Sequence, residues 1–458
     1  MTPLWTSAEI EAATGGVASV PFEVSGVTFD SREAGPGDLF VAMPGTASDG
    51  HAFVDQAFAQ GAVAALVSNV VKGPHMLVRD VAEALTALAI EARRRTDATV
   101  IGVTGSVGKT STKEALAAAL ARSRKGPVHR SVKSYNNHTG VPLSLARMPR
   151  ETRFAVLEMG MNHAGEIAAL TRLVRPHVAL ITAIASAHIE QLGSIEAIAD
   201  AKGEIFEGLE EGGIAVISED SPWRDRLVKA ARGHAGRTIT FGRNEEADVA
   251  TMQAARSDDG GSLVSARLVN SELTFTLSQR GDHWISNAMA VLAVVEAVGS
   301  DLGAAGLALA DLDGLKGRGK RHRVTVDGGA ALMIDESYNA NPASMAATLA
   351  SLGDEELTGR RIAVLGPMRE LGPETETMHA ALAGPIRDAK VDRLVLVGPE
   401  MAVLADALDG EIESAIADTV EEATRLVQAI LGPGDVVLVK ASNSVGLAAL
   451  VDRVAGTG

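Results

Sequence analysis

Residues Val100-Ile-Gly-Val-Thr-Gly-Ser-Val-Gly-Lys-Thr-Ser-Thr-Lys113 have the types and spacing needed to hold a nucleotide polyphosphate. Gly105 and Gly108 let backbone N–H groups close around phosphate oxygens, with Ser106, Val107 and Ser111 completing the turn. Lys109 has the reach for β- and γ-phosphates, and the Thr110 hydroxyl suits Mg²⁺. An Ala/Leu-rich helical pattern follows from Lys113 to Leu120 and would aim its positive end at the same phosphates. The general phosphate-loop pattern has a glycine where this chain has Val103, so Thr104–Ser111 is a shortened variant. The alternative is an ordinary Gly-rich turn between strand and helix.

Other polar groups stand where chemistry is feasible. Glu158 ends an apolar run, Phe154–Leu157, and a carboxylate at a strand's carboxyl end beside a phosphate loop suits Mg²⁺; a capping or surface glutamate is the plain alternative. His188 follows Val178–Thr182 and is either a structural histidine or a metal ligand. Lys202, in Ile198-Ala-Asp-Ala-Lys-Gly-Glu-Ile-Phe206, reads from spacing alone as a solvated helix lysine. Tyr135-Asn-Asn-His-Thr-Gly-Val-Pro142 is either a turn whose Asn side chains bond their own backbone or a ligand-contacting loop. Asn287, inside an Ala-rich helical pattern, could meet a base edge or simply face water. Met333-Ile-Asp-Glu-Ser-Tyr-Asn-Ala-Asn-Pro342 places six polar residues between a strand and a helix; capping by Asn341 accounts for only one. Upstream, Gly317-Arg-Gly-Lys-Arg-His-Arg323 offers cations for a phosphate or carboxylate.

These residues need strands that end together and helices that begin there. From Ile101 onward apolar runs alternate with helical segments, predicting a parallel sheet covered by helices. Strands are expected at Phe154–Leu157, Val178–Thr182 and 214–217, and antiparallel edge strands near 267–277. The glycine-rich stretch 314–319 reads as a linker. A second series follows, with strands at 331–335, Arg361–Leu365, Arg393–Val397 and Val436–Lys440 and helices at 342–352 and 420–431. Before the loop, short strands and turns run to about residue 80, including Pro36-Gly-Asp38 feeding a strand at 39–42, and a helix is expected at 81–95. The fold class is α/β in three domains, with boundaries expected at 1–80, 81–313 and 314–458.

A chain of 458 residues exceeds one usual core. Hydrophobic content is 46% with only 3% aromatics, and no run is long and apolar enough for a membrane span. The absence of cysteine removes disulfides and thiolate metal sites. No signal peptide is visible, so the cytoplasm is expected. A net charge of −16 argues against a nucleic-acid surface.

Together these motifs resemble the Mur ligase family across essentially the whole chain. Thr104–Ser111 is similar to the family's ATP loop, and Asn136–Pro142, Glu158–Asn162, His188 and Lys202–Phe206 to its central signatures. Ser31-Arg32, Pro36–Val41 and Asp49-Gly-His51 resemble a UDP-binding domain. Asp335-Glu-Ser-Tyr-Asn-Ala-Asn-Pro342 is similar to the turn of the D-alanyl-D-alanine-adding branch. The resemblance implies a small α/β UDP-binding domain, a central ATPase-like parallel sheet and a Rossmann-like, doubly wound third domain. It implies an ATP-dependent amide ligase acting on a UDP-N-acetylmuramoyl-tripeptide and D-alanyl-D-alanine, as a monomer.

By the same resemblance, Thr110 and Glu158 would bind one Mg²⁺. His188 and Lys202, the lysine as its N-carbamate, would serve a second. Asn137 and Asn162 would lie by the reacting carboxylate and amine. Asn287, Arg318, Asp335, Tyr338, Asn339 and Asn341 would contact ATP. Ser31, Arg32, Asp49 and His51 would contact the UDP-sugar. Glu336, Pro367 and Ala441 depart from the family pattern and bear on the acceptor dipeptide.

Overall fold

The computed structural model describes residues 2–45, 49–186, 189–257 and 260–456. Its centre is a nine-stranded sheet. From one edge, the strands are Val128–Arg130, Phe154–Glu158, Thr99–Thr104, Val178–Ile181, Ile214–Ser218, Arg237–Gly242 and Val249–Arg256, all parallel. Ser262–Arg267 and Glu272–Leu277 add an antiparallel end. The β-branched residues alternate between two helix layers. Ile101 and Val103 pack with Leu116 and Leu120 on one face, while Val100, Leu157 and Ile181 pack with Ile167 and Ile198 on the other.

The chain leaves the strand Thr99–Thr104, crosses to the edge strand Val128–Arg130 and returns between them. It then passes to the far side at Val178–Ile181. The direction of winding therefore reverses at Thr99–Thr104, the crevice where open α/β sheets bind ligands. Glu158 pairs with Val103, and Ile181 with Thr104, so the three carboxyl ends are level.

The C-terminal sheet has six strands in the order Lys320–Val326, Gly329–Glu336, Val436–Lys440, Arg361–Leu365, Arg393–Val397 and Glu413–Ala417. Only the first two pair antiparallel. Leu365, Leu396 and Leu438 face one helix layer; Val364, Val395 and Val439 face the other. A five-stranded sheet near the N-terminus, 17–77, is parallel except for its first strand. The helix Val81–Arg94 lies against two cores: Val81, Leu85 and Leu88 join the N-terminal one, and Ala89 joins a central one. Residues 314–319 are a tethered turn: Asp335 accepts from the Gly317 N–H through its carboxylate (2.7 Å) and from the Gly319 N–H through its backbone carbonyl (2.8 Å).

Among the described residues, no helix is long and apolar enough to cross a membrane.

Candidate active site

The loop after Thr104 is braced by the neighbouring strand. Thr182 donates from Oγ1 to the carbonyls of Val107 (2.6 Å) and Thr104 (3.2 Å), and the Ser106 N–H donates to Ala183 O at 2.7 Å. Gly105 is required twice over: its φ is +150°, and a Cβ there would lie 2.0 Å from Thr182 Oγ1. Gly108 has φ +83°, and a Cβ would come 3.0 Å from Asn287 Oδ1, so Asn287 stands directly beside the loop. Lys109 folds back to donate from Nζ to Gly105 O at 2.7 Å.

Glu158 is buried at the end of its strand, and both carboxylate oxygens are hydrogen-bonded. Thr110 Oγ1 donates to its Oε2 at 2.9 Å, and Asn136 Nδ2 donates to its Oε1 at 2.7 Å. Its own N–H donates to Ser131 Oγ at 2.9 Å. Asn136 lies so close to Gly160 that a Cβ there would be 2.6 Å from Asn136 Oδ1, which is the local reason for glycine in Glu158-Met-Gly-Met-Asn162.

Lys202 is not the solvated lysine that spacing suggests. It is fully buried, and among the described residues its Nζ has no hydrogen-bond partner. Burial, with Lys109 nearby, drives its pKa well below the ordinary 10.5, which favours the uncharged amine. Burial also lowers Lys109, which has Glu158 and Arg318 as charged neighbours. A buried lysine amine with a lowered pKa and no partner among the described residues, with Lys109 of the phosphate loop nearby, marks a candidate functional group. Two residues on, Glu204 accepts from the N–H groups of Gly165 (2.7 Å) and Ala168 (3.0 Å), tying this segment to the turn after Glu158.

The oxygen-rich pair Thr110–Glu158 fits a hard cation such as Mg²⁺, and the Lys202 amine, orphaned among the described residues, has room for a further partner. His188 lies outside the described residues.

The remaining expected residues divide. Asn137 shapes its own turn. Its Oδ1 accepts from the N–H groups of Thr139 and Gly140 and so opens the helix Gly140–Ala146; Asn136 is the residue that reaches Glu158. Asn162 is exposed at the turn, with its N–H donating to Glu166. Asp335 is fully buried and accepts from Gly317 N and from Ser337 N and Oγ, so it shapes the turn from within. Asn341 caps the helix Pro342–Gly353, accepting from Ser344 N at 2.9 Å. Tyr338 pairs its hydroxyl with Ser134 Oγ, and the Arg318 guanidinium lies 4.2 Å from its ring centroid. Asn339 gives its backbone carbonyl to Lys440 Nζ at 2.9 Å.

Glu336 and Lys440 are a buried pair 3.4 Å apart; burial raises the carboxyl and lowers the amine. His283, also beside Lys440, is pushed down to about 4, chiefly by burial.

In the N-terminal part, Ser31 Oγ donates to Gln56, and Arg32 is an exposed partner of Asp30. His51 Nε2 accepts from Ser68 N (2.9 Å), so its Nδ1 carries the proton shared with Asp49 (2.6 Å).

Sequence spacing missed Lys113, Ser131, Asn136, Thr182 and Glu204. They act through contacts made by chain crossings, and the only local signals were a lysine on an apolar helix face and a second Asn in Asn136-Asn137.

Three family descriptions match the chain: Mur ligase family, catalytic domain, at 23–122; Mur ligase middle domain at 103–295; and Mur ligase, glutamate ligase domain, at 321–443. A UDP-N-acetylmuramoyl-tripeptide–D-alanyl-D-alanine ligase of Bacillus subtilis is 35% identical over 96% of both chains. The enzyme of the same name from Escherichia coli is 36% identical over 86% of this chain and 85% of its own. Among solved structures, MurF from Acinetobacter baumannii matches with TM-score 0.85 at 29% identity, over 100% of this chain and 99% of that one. MurF from Thermotoga maritima, in complex with ADP, matches with TM-score 0.75 at 29% identity, over 94% and 97%. With full-length likeness, three matching family domains and the loop–carboxylate–lysine constellation in place, the chain belongs to the Mur ligase family.

Proposed function

We propose that this chain joins D-alanyl-D-alanine to a UDP-N-acetylmuramoyl-tripeptide at the expense of ATP, in peptidoglycan precursor synthesis. The tripeptide's terminal carboxylate attacks the γ-phosphorus, giving an acyl phosphate and ADP. The dipeptide amine then attacks the acyl carbon, and inorganic phosphate leaves as the amide forms. The observation that carries this reading is a phosphate loop whose Thr110 is hydrogen-bonded to a buried strand-end carboxylate, Glu158, at 2.9 Å. Full-length relatives bear this activity in their names.

In this reading Lys109 turns from Gly105 O to the phosphates, and Asn287 and Arg318 flank the nucleotide. Thr110 and Glu158 hold one Mg²⁺; Lys202, as its carbamate, and His188 hold a second. Bound Mg²⁺ supplies charge neutralisation at the transferring phosphoryl group. The Lys202 carbamate follows from acid–base chemistry, since only a neutral amine adds to CO₂, and the product is an oxygen ligand. Asn162, exposed beside Glu158, is open to substrate.

Residues 1–80 take the UDP-sugar end through Ser31, Arg32, Asp49 and His51. Residues 81–313 take ATP, and 314–458 carry Asp335, Tyr338, Asn339 and Asn341 over it. The enzyme works as a cytoplasmic monomer.

The test is phosphate release and product mass with UDP-N-acetylmuramoyl-tripeptide, ATP, Mg²⁺ and one amine at a time. D-alanyl-D-alanine alone should give a product heavier by the dipeptide less water. Release with glutamate or diaminopimelate instead overturns the assignment.

A further inference from the structure

Lys113 is one helical turn beyond Lys109, and the reaction above assigns it nothing. It is fully buried. Its Nζ donates to Ser131 O at 3.1 Å and to Lys133 O, pairs with Glu114 Oε1 at 3.0 Å, and stands 4.0 Å from Glu158 Oε2. A buried ammonium is costly without such partners, so the contacts define where the surrounding chain sits.

That surrounding chain is the 131–136 loop, whose polar residues reach three parts of the molecule. Ser131 Oγ accepts from Glu158 N, and Asn136 donates to Glu158 Oε1. Lys133 pairs with Glu33, and the Tyr135 ring lies 5.0 Å from that of Phe29, both in the N-terminal part. Ser134 meets Tyr338 of the C-terminal part. Lys133 itself sits at φ +50°, a left-handed conformation costly for a lysine and held here by its neighbours.

We propose that Lys113 is a positioning residue: its ammonium pins the 131–136 loop through two carbonyls, so that one loop sets the Glu158 carboxylate and both flanking contacts together. This deepens the ligase reading and rests on Glu158 being the metal-site carboxylate.

The test compares Lys113→Met, of similar length with no donor, and Lys113→Gln, which keeps amide donors and loses the charge. ADP binding is measured by calorimetry with Mg²⁺ and with EDTA, alongside kcat, KM and thermal midpoint. For Lys113→Met the strengthening of ADP binding by Mg²⁺ should fall about tenfold or more, the size seen when outer-shell partners of a metal site are lost. Its kcat should fall while KM for D-alanyl-D-alanine stays within about twofold. Lys113→Gln should regain part of both losses. A lower thermal midpoint with wild-type Mg²⁺ dependence and kcat overturns the proposal, as does a Gln variant no better than Met. Should Lys113→Met not fold, Lys113→Gln decides alone: a loss of about threefold or more in Mg²⁺-dependent ADP binding supports the positioning role, and a smaller change overturns it. The binding arm needs no turnover, so a wild type that makes no pentapeptide sinks the ligase reading and not this one.

Discussion

At the scale of single residues, the two lysines 109 and 202 are set apart by environment. Lys109 has Gly105 O and the Glu158 charge; Lys202 has neither, and burial drives its pKa well below the ordinary value. Lys202→Ala should lose about a hundredfold or more in kcat, and a short carboxylate such as acetate should restore part of it. Unchanged turnover in Lys202→Ala would reject the carbamate role. The same depression has a stability consequence. The unfolded chain binds a proton at Lys202 up to about 10.5, whereas the folded chain gives it up at lower pH. Folding is therefore penalised at neutral pH, and that penalty fades as pH rises toward 10.5. In CO₂-free buffer, Lys202→Met should melt higher than wild type at pH 7, with the gap closing on approach to pH 10.5. A gap that widens with pH contradicts the sign.

At the scale of elements, the site is a set of strand ends and helix starts made rigid by a few side chains. Thr182 holds the phosphate loop, and Gly105 leaves no room for a methyl against it. Gly105→Ala should weaken ADP binding about tenfold or more by calorimetry, through loop displacement. Gly165→Ala offers a control: its φ is +85°, but nothing lies within 4 Å of the added Cβ, so it should cost stability without that loss of affinity. Asn341 caps the helix Pro342–Gly353, and Asn341→Ala should cost about 1 kcal/mol in denaturant unfolding of the C-terminal part.

At the scale of the molecule, Glu355 joins the parts. Its buried carboxylate takes Arg321 from the C-terminal sheet at 2.7 Å and Arg280 from the central part at 2.5 Å. Both arginines are partly exposed, which moderates the energy. Glu355→Gln should cost about 1–3 kcal/mol and lower the thermal midpoint. An unchanged melt shows that the ion pairs are inert. The Ser134–Tyr338 and Glu33–Lys133 contacts sit on one loop, so both outer parts touch the segment whose Asn136 reaches Glu158.

The strands at Phe154–Glu158, Val178–Ile181 and Val436–Lys440 were legible because β-branched and leucine runs between helical patterns have few other ways to be buried. The phosphate loop was legible because glycine spacing and Lys-Thr are local chemistry. Asn341 as a cap was legible for the same reason. What local spacing could not separate was Asn136 from Asn137, or the inward-facing Lys113 and Lys202 from ordinary helix lysines. A lysine's burial and a carboxylate's partners depend on which distant segments close over them. Here the order of strands Val128–Arg130, Phe154–Glu158 and Thr99–Thr104 brings residues 109–113, 131–136 and 158 to one place. Composition and periodicity are sums over neighbours in the chain; the site is made by neighbours in space, and only the tertiary fold chose them.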